Sequence, residues 1–179
     1  VGVRTLLAEQ IRSGSLPQCY YDHPVVRAHP DEAVAPLAVY LDFVPYSITD
    51  SVLGVWTINI LTNARYLFAV YRKRKLCKCG CKGWSSLFAL LSVYTWSLRA
   101  LANRMWPTSR HDNLPWSDAD KEAGREANAG EPLPVRATVI YVKGDWAEHC
   151  GSLGLPSWHD GLRPCSECNG FGDDLFDLR

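Results

Sequence analysis

Two aspartates in apolar surroundings are the residues of this sequence best suited to chemistry. Asp42 lies inside the apolar run of residues 36–44, and Asp145 closely follows a second such run, residues 135–143. An ionised carboxylate in an apolar strand is costly unless it is paired or binds a metal. We therefore predict that both aspartates bind Mg²⁺ or Mn²⁺, hard cations that prefer carboxylate oxygens. Two such ions about 4 Å apart activate the attacking oxygen and stabilise the leaving oxygen in phosphodiester cleavage.

Each aspartate also has a structural interpretation. Asp42 can be a core carboxylate that backbone amides or an arginine satisfy. Asp145 follows Gly144 and can be the N-cap of the next helix. The joint placement, with one acid inside a strand and the second at the end of another, favours the metal site over the two separate explanations.

The seven cysteines indicate a second kind of metal site. Cys165 and Cys168 have the C-x-x-C spacing of a zinc knuckle, and zinc needs about four ligands, so two more are required. Three cysteines alternate along a short segment, which places them on one face if the segment is extended. The alternative is a set of free thiols in loops. Candidates for the missing zinc ligands are Cys77, Cys79, Cys81, His149, Cys150 and His159.

A basic segment precedes the long apolar helix. Residues 51–111 contain ten lysines and arginines and no acid, whereas thirteen acids follow from residue 112 onward. Such segregation favours a basic surface for an anionic partner, although a merely solvated loop is the alternative. Phosphate contacts of this kind give affinity rather than sequence specificity. The predicted nucleic-acid contacts are Arg72, Lys73, Arg74, Lys75, Lys78 and Lys82.

The elements that must position these residues follow the order β-β-β-α-β-α. Strands are predicted at residues 37–44, 52–61, 66–71 and 135–143, a helix at 85–105, and one or two helical turns at 146–150. Short connections make the first three strands antiparallel. A right-handed crossover through the helix places the fourth strand beside the first and parallel to it. This is an α/β arrangement of the ribonuclease-H-like type, in which Asp42 and Asp145 lie side by side.

Composition divides the chain into three parts. Residues 1–35 are predicted to form an N-terminal helix and a proline-rich extended linker, residues 36–151 the core with a polar insertion at 107–134, and residues 152–179 a cysteine-containing loop and an acidic tail. The longest uncharged run, residues 83–98, is short for a membrane span. An odd number of clustered cysteines and no signal-peptide pattern favour an intracellular protein that is not secreted.

The quoted motifs resemble those of a known enzyme family. PLAVYLD at residues 36–42, followed by DSVLG at 50–54, resembles the first catalytic strand of eukaryotic cut-and-paste DDE/D transposases. VKGDWAE at 142–148, followed by RPCSEC at 163–168, resembles their second-aspartate region, where many carry a C-x-x-C zinc element. The nearest group is the CACTA-like transposases and related transposase-derived proteins of protists. The resemblance covers roughly residues 34–170.

This resemblance implies a partial catalytic core for DNA cutting and strand transfer with two divalent metals. Asp42 and Asp145 would be its catalytic ligands and Zn²⁺ a structural ion. Such enzymes need a third acid on a later helix, and 34 residues follow Asp145. We therefore expect the C-terminal half of the fold to be missing and the chain to be inactive alone. The implied partners are DNA and the missing part of the same fold, and an oligomer is compatible with this interpretation.

The alternative function is a non-enzymatic, zinc-stabilised module that binds nucleic acid or protein through the basic segment. Its acids would then be structural only. A decayed element with no function is the third interpretation. The Arg72–Lys75 run also has the composition of a nuclear import signal, so the expected location is nuclear or otherwise intracellular.

Overall fold

A computed structural model describes residues 2–81, 83–122, 124–151, 153–156 and 162. Its four strands are β1 (Val34–Pro45), β2 (Ser51–Asn59), β3 (Arg65–Arg72) and β4 (Arg136–Lys143). Its helices are α1 (Val3–Arg12), α2 (Gln18–Tyr21), α3 (Pro24–Ala28), α4 (Trp84–Asn103), α5 (Asp118–Glu122) and α6 (Trp146–Gly151), and single 3₁₀ turns occur at Lys73–Lys75 and Glu126–Asn128.

The strands form one mixed sheet in the order β3-β2-β1-β4. β1 pairs antiparallel with β2, β2 pairs antiparallel with β3, and β1 pairs parallel with β4. The predicted α/β class, the antiparallel meander and the parallel fourth strand are therefore confirmed. β1 begins three residues earlier than the sequence pattern suggests. Its Pro36, which has no N–H to donate, lies next to the irregularity in the ladder between Leu37 and Ala38.

One face of the sheet packs against α4 and forms the main core. Val39, Leu41, Leu53 and Val55 of the two central strands are buried together with Leu87 and Tyr94 of the helix. Tyr94 also shares a 2.6 Å hydrogen bond between its hydroxyl and that of Thr57. Because the side chains of a strand alternate between the two faces, this packing turns the intervening residues of β1 and β2 toward the opposite face.

The long helix is two residues shorter at its C-terminus than predicted. Arg104 adopts the left-handed conformation with φ of 56°, and its N–H bonds the carbonyls of Ala100 and Leu101, which ends α4. Met105 then forms a short bridge with Pro132 of the insertion. Both the start and the end of the polar insertion therefore lie at the C-terminus of α4.

The N-terminal region covers part of the second face. Leu7 of α1, Leu16 of the α1–α2 connection and Tyr20 of α2 form a small buried cluster, against which Ile140 of β4 packs. This differs from the extended linker predicted over residues 17–35. The prolines there begin helices instead: Pro17 is the N-cap of α2, and Pro24 is the first residue of α3.

Membrane insertion was not expected from the sequence. Of the helices in the described residues, none combines the length and the apolar character needed to cross a bilayer.

Candidate functional site

Asp42 lies on the second face of the sheet, where α4 does not cover it. Its neighbours Leu41 and Phe43 belong to the α4 side, so the carboxylate projects from the opposite side of β1, half-buried. The Tyr40 hydroxyl, two residues earlier on the same face, donates a 2.9 Å hydrogen bond to Asp42 Oδ2. The hydrogen-bond partner found for the carboxylate is thus a phenol rather than the backbone amides or arginine of the structural interpretation.

A glycine and a tryptophan shape the surface beside Asp42. Gly54 is the register partner of Asp42 across the β1–β2 pair. A Cβ atom added to Gly54 would lie 1.8 Å from the Trp56 ring, so the indole extends across the position that the glycine leaves open. The rings of Trp56 and Tyr40 are 5.5 Å apart. Asp42 therefore lies at the edge of an aromatic surface that only glycine at position 54 permits.

Asp145 lies at the end of the neighbouring parallel strand. The last register pair of β1 and β4 is Tyr40 with Lys143; Asp42 lies two residues further along β1, and Asp145 lies two residues beyond the end of β4. The pKa of Tyr40 is raised above 10.0, first by its hydrogen bond to Asp42, then by burial and by the negative charges of Asp42 and Asp145. The charges of both carboxylates therefore act on the same phenol.

Asp145 also occupies the position predicted by its structural interpretation. It immediately precedes α6, and its carbonyl accepts a 3.1 Å hydrogen bond from the His149 N–H. An N-cap position and an exposed carboxylate near Asp42 are compatible with each other.

Three of the predicted zinc ligands lie together. The sulfur atoms of Cys77, Cys79 and Cys81 are all within 4.8 Å of one another, and the described residues contain no other group of three metal-ligating side chains this close. The Cys77 thiol donates to Cys79 Sγ at 3.1 Å, and the Ser85 N–H at the start of α4 donates to Cys81 Sγ at 3.4 Å. Hydrogen bonds from Ser85 are the main reason that the pKa of Cys81 falls to about 6.

This cluster offers three sulfur donors to a thiophilic ion such as zinc. Of the other zinc candidates, Cys150 lines a cavity with Cys81 but is not part of the close group of three. His149 lies against Gly144, and its Nε2 is buried without a hydrogen-bond partner. Cys165 and Cys168 fall outside the described residues.

The predicted nucleic-acid contacts divide into two groups. Arg72 and Arg74 both pair with Asp50, at 3.0 Å and 3.2 Å, and the Asp50 side chain is only 5% exposed. The sequence argument missed this acid because it lies one residue before the acid-free stretch. Lys73 lies over the Phe43 ring at 5.5 Å, whereas Lys75 and Lys78 have no ion pair among the described residues, and Lys82 is outside them.

A cavity that the sequence did not predict lies between α4 and the polar insertion. It has a volume of about 660 Å³ and tryptophan walls, namely Trp96, Trp106 and Trp116. Two cations line it, but Arg110 pairs with Asp112 and Arg125 pairs with Asp120. Trp106 is 41% exposed here.

Comparisons with protein-family models, with curated proteins and with solved structures find no significant match to this chain.

Proposed function

We propose that this chain is the metal-binding part of a DNA-processing catalytic core, in which Asp42 and Asp145 hold Mg²⁺ or Mn²⁺ for phosphodiester cleavage. The observation that carries the proposal is the parallel pairing of β1 with β4, whose last register pair, Tyr40 with Lys143, lies two residues before Asp42 on one side and two residues before Asp145 on the other. Hard cations prefer such carboxylate oxygens, and a pair of ions serves both the attacking and the leaving oxygen.

The sheet supports the finer assignment of a ribonuclease-H-like fold. A three-stranded antiparallel meander, a crossover helix and a fourth strand parallel to the first are the elements of the opening half of that fold. Asp42 lies on the face of the sheet opposite the crossover helix, and the N-terminal helices pack on that face against Ile140 of β4. Access for a large substrate such as a DNA backbone requires this face to be open beside Asp42.

The basic segment supports the choice of an anionic substrate. β3 runs in the same direction as β1, since both are antiparallel to β2. The C-terminal ends of β1, β3 and β4 therefore lie at one end of the sheet, which is also the end nearer to Asp42. Lys73 and Lys75 follow β3 at this end, and Lys73 lies over Phe43 on the α4 side. Lysines at this end of the sheet are suited to hold phosphates while the metals act on one of them.

The proposed cleavage of DNA needs a third carboxylate. Within the described residues, no acid joins Asp42 and Asp145 in a close ligand group of three. The described part is therefore proposed to bind metal and DNA, and to cleave DNA only when a further acid completes the site.

The test is a titration of Mn²⁺ with the protein. Binding is measured as the decrease of the EPR signal of free Mn²⁺. We expect Asp42→Asn and Asp145→Asn each to weaken binding at least about tenfold, or 1.4 kcal/mol. Asp118→Asn is the matched control, because Asp118 is an exposed acid in the insertion. If Asp42→Asn binds Mn²⁺ as well as the control does, the metal site is excluded.

A zinc-stabilised, non-enzymatic binding module is the second candidate function, and the cysteine cluster next to the basic segment favours it. The two functions separate in a DNA-binding titration without divalent ions. If the chain is a zinc-stabilised module, the Asp42→Asn variant binds DNA as well as the unchanged protein does. Replacement of the cysteines by serine then abolishes DNA binding. The catalytic core instead requires added Mg²⁺ or Mn²⁺ and intact aspartates for tight binding.

A further inference from the structure

The cysteine cluster lacks one donor for a structural zinc ion. Zinc in structural sites is almost always four-coordinate, and Cys77, Cys79 and Cys81 supply three sulfurs. A fourth cysteine faces one of them across a cavity. Cys150, the fifth residue of α6, lines a cavity of about 430 Å³ together with Cys81, although it is outside the close group of three sulfurs. No other cysteine among the described residues lines that cavity.

We propose that Cys77, Cys79, Cys81 and Cys150 form a four-thiolate zinc site that fastens α6 to the segment before α4. Neither the pairing of Asp42 with Asp145 nor any action on DNA is required for this site. It differs from a knuckle built on the C-x-x-C pair, because none of its ligands lies in the C-terminal segment.

The local backbone suits such a site. Gly80, between Cys79 and Cys81, adopts φ of +95°, a left-handed conformation that glycine tolerates and that turns the segment between two ligands. Tetrahedral Zn–S bonds of about 2.3 Å place sulfurs about 3.8 Å apart. The three clustered sulfurs, all within 4.8 Å, already have nearly this spacing. Small side-chain rotations are sufficient to bind the ion.

The segment that carries Cys150 is already held close to the cluster. Leu153 packs against the main core, which includes Leu87 of α4 and the partly buried Leu76 just before Cys77. The Cys150 thiol is half-buried and donates a 3.3 Å hydrogen bond to the Pro156 carbonyl. A thiol hydrogen bond of this kind is weak and is readily exchanged for a Zn–S bond. The Zn–S bond is stronger because the positive metal attracts the thiolate.

The cavity between Cys81 and Cys150 gives the ion a protected position. Trp84 and Leu87, on the first turn of α4, form its other walls. Apolar walls around a thiolate site limit the access of water and of competing ligands. Binding would thus connect two segments, residues 77–81 and 146–151, that are far apart in sequence.

Titration with Co²⁺, a spectroscopic substitute for zinc, tests the ligand set on the full-length chain. We expect one equivalent to give thiolate-to-cobalt charge-transfer absorption and the visible bands of a tetrahedral ion. Cys150→Ser should weaken binding about 10- to 100-fold, whereas Cys19→Ser, at an exposed cysteine, should leave it unchanged. The double variant Cys165→Ser/Cys168→Ser should also retain the spectrum. Unchanged affinity in Cys150→Ser, or loss of the spectrum in the double variant, would overturn the proposal.

Alkylation mapping tests the same site in the unchanged protein and does not depend on whether the variants fold. With one equivalent of Zn²⁺, we expect iodoacetamide to modify Cys19 rapidly and to spare all four proposed ligands, and EDTA should restore their reactivity. Alkylation of Cys150 at equal rates with and without Zn²⁺ contradicts the proposal. This outcome is independent of Mn²⁺ binding at the aspartates, so failure of one proposal is distinguishable from failure of the other.

Discussion

The Tyr40 hydroxyl donates a 2.9 Å hydrogen bond to Asp42 Oδ2 from two residues earlier on the same strand. Because residues two apart on a strand share a face, this contact needs no support from another element. It holds one oxygen of the carboxylate beside the aromatic surface of Tyr40 and Trp56. In the proposed metal site, the other oxygen, Oδ1, would be the first ligand of the cation.

Tyr40 reports on the charge of the acid pair, which gives the first prediction. Its pKa lies above the ordinary 10.0 because the Tyr40 hydroxyl donates a hydrogen bond to Asp42, because the phenol is partly desolvated, and because the negative charges of both aspartates disfavour a phenolate. Asp42→Asn should therefore lower the Tyr40 pKa toward 10.0. Mg²⁺ bound at the pair should lower it as well, since the cation offsets the carboxylate charges. The ¹³C shift of the tyrosine ring carbon that bears the hydroxyl, followed by NMR against pH, measures both changes.

The raised pKa of Tyr40 also makes the stability of the fold depend on pH. The folded chain favours the protonated phenol, so this contribution is complete below pH 10 and is lost as the pH rises through the raised pKa of folded Tyr40. Tyr40→Phe identifies the resonance and serves as the control. A Tyr40 titration that does not change on addition of Mg²⁺ would show that no cation occupies the pair.

Gly54→Ala tests how the surface beside Asp42 is built. The new methyl would lie 1.8 Å from the Trp56 ring, so the indole must swing away. Since the contact involves the far end of a half-exposed side chain, we expect a moderate loss of about 1–3 kcal/mol in unfolding free energy. Urea denaturation measures the loss, and a shifted indole resonance in NMR shows the movement. Gly2→Ala is the control, because its methyl meets open space. Equal stability of both variants would contradict the packing of Trp56 over Gly54.

The sequence predicts the sheet well because its signals are local. Val, Ile and aromatic residues mark β1, β2 and β4, and the apolar periodicity of α4 leaves one consistent connection between them. Given a right-handed crossover, β4 must lie beside β1, and this alone brings Asp42 and Asp145 to neighbouring strands. The acid pair therefore depends on topology, which hydrophobic patterns can reveal.

What the sequence does not predict depends on contacts between distant segments. Asp50 pairs with Arg72 and Arg74 because the ends of β2 and β3 meet, and no pattern of spacing reveals this contact. Tyr40 and Trp56 read as ordinary strand residues until the β1–β2 register is known. The prolines of the N-terminal region are compatible with both an extended chain and a helix start, and only burial of Tyr20 decides between them.

Leu7→Ala tests whether the N-terminal helices belong to the folded unit. Leu7 is 2% exposed in the cluster with Leu16 and Tyr20, so truncation leaves a cavity under the second face of the sheet. We expect a loss of about 2–5 kcal/mol in unfolding free energy, measured by chemical denaturation. Ile11→Ala on the same helix is the matched control, because Ile11 is 38% exposed. A loss no larger than that of the control would mean that α1 contributes little to the core.

Asp50 gives a prediction for the acid side of the stability profile. Its pKa is held below the ordinary 3.8, first by the hydrogen bond from the Tyr46 hydroxyl and then by bonds from the Arg74 N–H and the Arg72 guanidinium. A lowered folded-state pKa stabilises the fold above the unfolded-state value, and this contribution is lost as the pH falls through the folded-state value. Asp50→Asn should therefore lower the melting temperature at pH 7, and the difference from the unchanged protein should shrink below about pH 4. Asp118→Asn, at an exposed acid, is the control across the same pH series. A difference that stays constant from pH 7 to pH 2 would mean that the Asp50 charge does not hold the basic segment in place.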